Sequence, residues 1–231
     1  MTSERKNAAE RTWVAGASGA AGSLLATVFG AAARVRPTAK PLHPRGEVLG
    51  GTILRAGLEL GVDVPWIDEP GTDEAQVRLS RAIGLPSGWP DIFGLAIRVP
   101  TGPERHGDVL FATTGRTVVG RFALLPRRRP TTGTYSTLIP YRTASGPLLL
   151  SARPVLDRTF TLACARPASP WRTFGELTLE SSPTGDLGDA HDVGPTFDPV
   201  LNQIPGLTYY PWAARLRERS YRAARQSRGE Q

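Results

Sequence analysis

From residue 46 onward, apolar residues come in short runs broken by polar, glycine- and proline-containing stretches. Within 174–181 the period is explicit: Leu177, Leu179 and Ser181 alternate with Glu176, Thr178 and Glu180, as on a strand with one face buried. The pattern predicts strands over 47–55, 75–80, 93–99, 108–113, 118–125, 136–142, 148–155, 159–166 and 174–181. Turn signals separate them at Glu69-Pro70-Gly71, Thr101-Gly102-Pro103, Ser145-Gly146-Pro147 and Pro183-Thr184-Gly185. Eight or nine short strands at this spacing predict a mainly β chain, an antiparallel barrel or sandwich. Residues 183–206 read as a long irregular connection. The stretch from Pro211 to the end reads as a helix dense in arginine, with the proline in its first turn.

The first 36 residues follow a different pattern. A polar start leads into an uncharged run from Trp13 to Ala33, closed by Arg34 and Arg36. The run is long enough to cross a bilayer but is mostly Ala, Gly and Ser. It predicts an amphipathic helical segment over 1–36, with Leu25, Val28 and Phe29 turned inward. A membrane-surface contact through 12–35, and a cleaved signal ending at Ala31-Ala32-Ala33, are the alternatives. Residues 37–231 are expected to form one domain.

Composition narrows the chemistry. Cys164 is the only cysteine of 231 residues, which excludes an internal disulfide and any multi-cysteine metal centre. Met1 is the only methionine, and histidine chemistry must use His43, His106 or His191. His106 and His191 both sit in polar stretches that read as exposed loops, and Asp91 after Pro90 reads as a turn residue. No glycine-rich loop leads from a strand into a helix, and no nucleophile elbow surrounds a serine. The net charge of +7 and pI near 10.3 favour an acidic ligand, an anionic membrane or a polyanion. Aromatics are only 7%, without the stacking series of a nucleic-acid sheet, so nucleic acid is the weakest of these partners.

The arginine-rich end places Arg217, Tyr221, Arg225 and Arg228 on one helical face. Guanidiniums beside a phenol favour its ionised form, and a phenolate suits ferric iron. A solvated basic helix is the plain alternative.

The preceding residues add to that picture. Phe197-Asp198-Pro199, Pro205-Gly206 and Arg217-x-x-x-Tyr221 resemble the proximal segment of the haem catalases. Five further elements resemble that family in the same order. They are Leu42-His43-Pro44-Arg45-Gly46, Val77-Arg78-Leu79-Ser80, Pro90-Asp91-Ile92-Phe93-Gly94-Leu95-Ala96, Gly107-Asp108-Val109-Leu110 and Phe174-Gly175-Glu176-Leu177-Thr178-Leu179.

The resemblance implies an antiparallel eight-stranded barrel with an N-terminal helix and a C-terminal proximal helix. It implies haem b, with Tyr221 as iron ligand and Arg217 and Arg228 beside it. His43 would be the distal catalytic base and Ser80 its hydrogen-bonding partner. Arg78 and Lys40 would pair with the haem propionates. Two features depart from the family. Counted from Asp108, the distal asparagine position holds Thr113, and the chain is about half an ordinary member's length. The expected function is therefore a cytoplasmic or membrane-associated peroxidase-like oxidoreductase acting on hydrogen peroxide or organic hydroperoxides, weak in catalase turnover. A catalase-fold protein without haem activity, or a basic barrel binding anionic lipid or nucleic acid, is the alternative.

Overall fold

The computed structural model describes residues 45–85, 88–183 and 195–215. Its strands are β1 Arg45–Arg55, β2 Gly71–Arg81, β3 Phe93–Gly102, β4 Arg105–Thr114, β5 Thr134–Ser136, β6 Tyr141–Thr143, β7 Gly146–Leu156, β8 Thr159–Ala165 and β9 Arg172–Leu179. All pairings are antiparallel. Because β5 pairs with both β4 and β7, and β1 with both β2 and β9, eight strands close into a barrel. The ninth, β6, pairs with the first three residues of β7. Closure leaves no ladder edge open among the eight, which an open sheet would have to protect.

Alternation decides what fills the barrel. Val77, Leu79, Leu95, Ile97, Val109 and Phe111 point inward from β2, β3 and β4, and meet Tyr135, Leu150, Leu162 and Cys164 from the other side. One end is plugged by a short helix, α1 (Pro65–Asp68), whose Trp66 packs edge-on against Phe174 at 5.4 Å. Two contacts fix the plug: the Trp66 indole N–H donates to Asp73 at 3.0 Å, and Arg55 Nε donates to the same carboxylate at 2.7 Å. The other end is where β1 begins and β2, β4, β7 and β9 finish.

Most of the expected strands form, with two corrections. Residues 118–125 are not a strand. The Gly115 N–H donates to the Gly120 carbonyl at 2.9 Å, and a Cβ on Gly115 would lie 2.9 Å from the Gly120 Cα. The chain therefore doubles back there into a 3-10 turn, Gly120–Phe122. Residues 136–142 are not continuous either. Leu138 adopts φ of 60°, and Pro140 follows, so the segment breaks into β5 and β6. His106 is also misplaced as a loop residue: it lies in β4, half-buried, opposite Pro100.

The expected N-terminal segment, 1–36, lies outside the described residues. The expected C-terminal helix is described over 211–215, which are helical from Pro211. Among the described residues no helix is long and apolar enough to cross a membrane.

Candidate functional site

The outer face of β1–β4 carries the first candidate group. Gly46 lies opposite Ser80 and Val48 opposite Arg78 across β1 and β2. Ser80 in turn lies opposite Gly94, and Arg78 opposite Ala96. Gly94 and Ala96 face Ala112 and Leu110 on β4. Residues directly opposite share a face, so Arg78 and Ser80 stand together amid Gly46, Gly94, Ala96 and Ala112. Burial deepens along β2 toward the end where β1 begins: Gln76 is exposed, Arg78 half-buried and Ser80 buried. A Cβ at position 46 would fall 2.8 Å from the Arg78 guanidinium, so glycine there is what lets that side chain lie across β1. Small residues around one cation and one hydroxyl, bordered by Val48 and Leu110, leave room for a planar group bearing carboxylates.

Thr113 does not join this group. Ala112 is opposite Gly94, so Thr113, one residue on, points into the barrel with Phe93 and Tyr135. It is fully buried, and its hydroxyl accepts the Phe93 N–H at 3.2 Å. The side chain on the Arg78 and Ser80 face is Ala112. Lys40, His43, Arg217, Tyr221 and Arg228 lie outside the described residues. Among the described residues, no group of three His, Cys, Asp or Glu side chains could hold a metal ion.

A second cluster joins two of the sequence elements that carry the family resemblance. The Asp108 carboxylate, buried on β4, accepts Arg98 Nε at 2.7 Å and Nη2 at 2.9 Å from neighbouring β3. It also accepts the Asp198 N–H at 2.8 Å and Asn202 Nδ2 at 3.0 Å. Arg98 reaches further, donating to the Thr196 carbonyl at 2.6 Å and lying 4.8 Å from the Phe197 ring centroid. Asp198 folds its own loop by accepting the Val200 and Leu201 N–H groups. The Phe197-Asp198-Pro199 segment is thereby locked onto the outer face of β3 and β4. From there the chain runs through Tyr209, whose hydroxyl donates to Tyr141 at 3.0 Å, to the helix opening at Pro211. This clamp fixes where the chain enters the helix that begins at Pro211. Arg98 was not singled out by the sequence. Its signal was there, as opposite charges either side of a hairpin turn at Gly102.

The third feature overturns the reading of Asp91 as a turn residue. Its carboxylate is completely buried and accepts three successive backbone N–H groups, from Ile83 (3.0 Å), Gly84 (2.8 Å) and Leu85 (3.1 Å). Arg81 Nε adds a charged contact at 3.4 Å. Backbone hydrogen bonds of 2.8 Å in each direction pair Asp91 with Arg127. Asp91 therefore ties the β2–β3 connection to the 126–130 strap at the barrel end beside Ser80.

The remaining buried polar side chains do not complete a reactive site. Cys164 is buried inside the barrel, and burial pushes its thiol up to about 11, so it is protonated near neutral pH. Burial also pushes the Tyr135 phenol up, and its hydroxyl donates to the Pro130 carbonyl at 2.6 Å. Arg121 is buried against Trp171 at 4.3 Å, and desolvation lowers its pKa.

No family model matches the chain, and no curated protein matches it. Solved structures do match. A bacterial catalase superposes with a TM-score of 0.55 at 12% identity, covering 88% of this chain and 60% of that one. A fungal catalase gives 0.58 at 12% identity, covering 88% of this chain and 62% of that one. The barrel is catalase-like in fold. The chain spans about three fifths of the length of these catalases.

Proposed function

We propose that this chain is a haem-dependent, peroxidase-like oxidoreductase of the catalase superfamily, acting on hydrogen peroxide or organic hydroperoxides. The observation that carries the reading is the shared face of Arg78 and Ser80, set among Gly46, Gly94, Ala96 and Ala112 on a catalase-like barrel. That face would hold haem b, with Arg78 and Lys40 neutralising its propionates and Tyr221 supplying a phenolate to the iron. When bound, the haem supplies the redox-active iron on which a peroxide is reduced.

The chain's own residues do the rest. His43 lies three residues before Gly46 in sequence. Its imidazole would take the proton from one peroxide oxygen and return it to the other as the O–O bond breaks, and imidazole titrates in the range this needs. The Ser80 hydroxyl would fix the ring's tautomer and orientation. Arg217 and Arg228 would keep the Tyr221 phenol ionised by their positive charge. With Ala112 on the face of Arg78 and Ser80 and Thr113 turned inward, no amide at these positions would hold peroxide in place. One-electron peroxidase chemistry or hydroperoxide substrates are therefore favoured over disproportionation.

Absorbance of protein expressed with added haem tests the reading. A Soret band with a high-spin ferric spectrum is expected, and it should change or vanish in Tyr221→Phe. His43→Ala should keep the haem and lose about 10²-fold or more in peroxide turnover, the scale for removing a positioned base. Haem-free protein, or a spectrum indifferent to Tyr221→Phe, would leave a catalase fold that serves another role.

A further inference from the structure

We propose that the barrel end where β1 begins docks on an anionic lipid bilayer. A cleft of about 510 Å³ opens there, lined by Gly88, Arg128, Arg129, Thr131, Asp157 and Ser182 among others. Arg128 and Arg129 are exposed, and among the described residues neither guanidinium has a hydrogen-bonding or ion-pair partner. Large exposed apolar side chains flank the cleft's lining residues along the chain. Trp89, next to Gly88, is 63% exposed, while Val155 and Leu156, next to Asp157, are 44% and 70% exposed.

Exposed apolar residues scattered singly are ordinary; three next to the lining residues of one cleft that also carries exposed cations make a surface. Its chemistry selects the partner. An indole with an apolar body and a polar N–H settles at the lipid headgroup boundary, and valine and leucine favour the acyl region beneath it. Arginines meet lipid phosphates, and each basic side chain near an anionic leaflet is worth roughly fivefold in binding. A nucleic-acid strand would use the cations but gain little from two aliphatic side chains. Among the described residues Asp157 is the one carboxylate lining the cleft, against two arginines. The rim is also held in shape before contact. The Asp91–Arg127 bridge fastens the loop carrying Trp89 to the strap carrying the two arginines.

Docking does not depend on haem. Resting on the proposed function, however, it names the substrate class: Ser80 lies at this same barrel end, so hydroperoxides formed on membrane acyl chains would arrive beside the site.

The test uses the full chain, without added haem, co-sedimented at low salt with vesicles. One set is phosphatidylcholine alone, the other an equal mixture with phosphatidylglycerol. The parent should bind the anionic set and leave the neutral set largely unbound. Arg128→Gln with Arg129→Gln should weaken binding by about 30-fold, from two lost cations. Trp89→Phe should remove most of the fluorescence quenching by brominated lipid. Full-strength binding by the double variant would overturn the proposal and assign the contact to residues 12–35. No binding by the parent, or a preference for a DNA oligonucleotide over the vesicles at equal salt, would overturn it as well.

Discussion

Asp108→Asn removes a charge while nearly keeping the side chain's shape. Four donors converge on the native carboxylate: two from Arg98, the Asp198 N–H and Asn202 Nδ2, all between 2.7 and 3.0 Å. Asparagine keeps one carbonyl oxygen and turns the other acceptor into an NH₂ group, so at least one donor pair meets head-on. Asp108 is fully buried, but the Arg98 side chain keeps 18% exposure, so water can reach part of the stranded guanidinium. The cost should then fall somewhat below that of breaking a wholly buried pair, about 2–4 kcal/mol. In a chain of this size each kcal/mol lowers the melting temperature by about 2–4 °C, giving a fall of roughly 5–15 °C. Thermal melts followed by circular dichroism should compare the parent, Asp108→Asn, Arg98→Met and the double variant. The double variant should be less damaged than the two singles added together, because the stranded charge is gone. Hydrogen exchange should quicken at the Asp108 and Asn202 amides, which the clamp joins to Asn202 and Asp198 carbonyls. A melting shift below about 2 °C, or strict additivity, would refute the clamp as an energetic unit.

Three more outcomes follow from the same geometry. The Cys164 thiol ionises near 9.0 in the ordinary state and at about 11 when folded, so between those values the folded chain holds more protons than the unfolded one. Stability should therefore be intact below pH 9 and decline as pH rises toward 11, with urea midpoints showing a shallower decline in Cys164→Ala. Thr113→Val should cost about 1–2 kcal/mol by orphaning the Phe93 N–H, while leaving the ratio of oxygen release to dye oxidation unchanged. Ala112→Asn, on the opposite face, should raise that ratio; a ratio that moves with Thr113 instead would reverse the assignment of faces. Asp91→Asn should destabilise by about 2–4 kcal/mol, read as a lower urea midpoint, because three N–H groups and Arg81 converge on that carboxylate.

The sequence revealed the strands whose core face alternates without interruption. Leu95, Ile97 and Val99, and then Leu177 and Leu179, are buried by strand geometry alone, so local period sufficed. It missed the start of β2, because Thr72-Asp73-Glu74 reads as polar. Asp73 is buried there only through Arg55 on β1 and Trp66 on α1, partners that no local window includes. It overread Val118 and Val119 as a strand; Val119 is 80% exposed, and the Gly115–Gly120 contact decides the turn. For the candidate site, the order of motifs placed Arg78 and Ser80 in one strand, and their spacing of two already put them on one face. Choosing between positions 112 and 113 was beyond it. That choice depends on cross-strand register, where one residue moves a side chain from the outer face to the barrel interior.

The pairing of β1 with β9 has a consequence for how the chain is made. Arg55 bonds across to Gly175, the greater part of the barrel later in sequence. While the chain emerges from the ribosome, β1 to β4 can form a meander, yet the far side of β1 has no strand to meet until β9 arrives. At about 5–20 residues per second that wait is on the order of 10 s, long on the timescale of hairpin formation. Throughout it the nascent meander presents an unpaired edge and one apolar face to its surroundings or to a chaperone. Circular permutation would move that seam without removing it: with β9 placed ahead of β1, the waiting edge becomes the one β9 offers to β8, the last strand made.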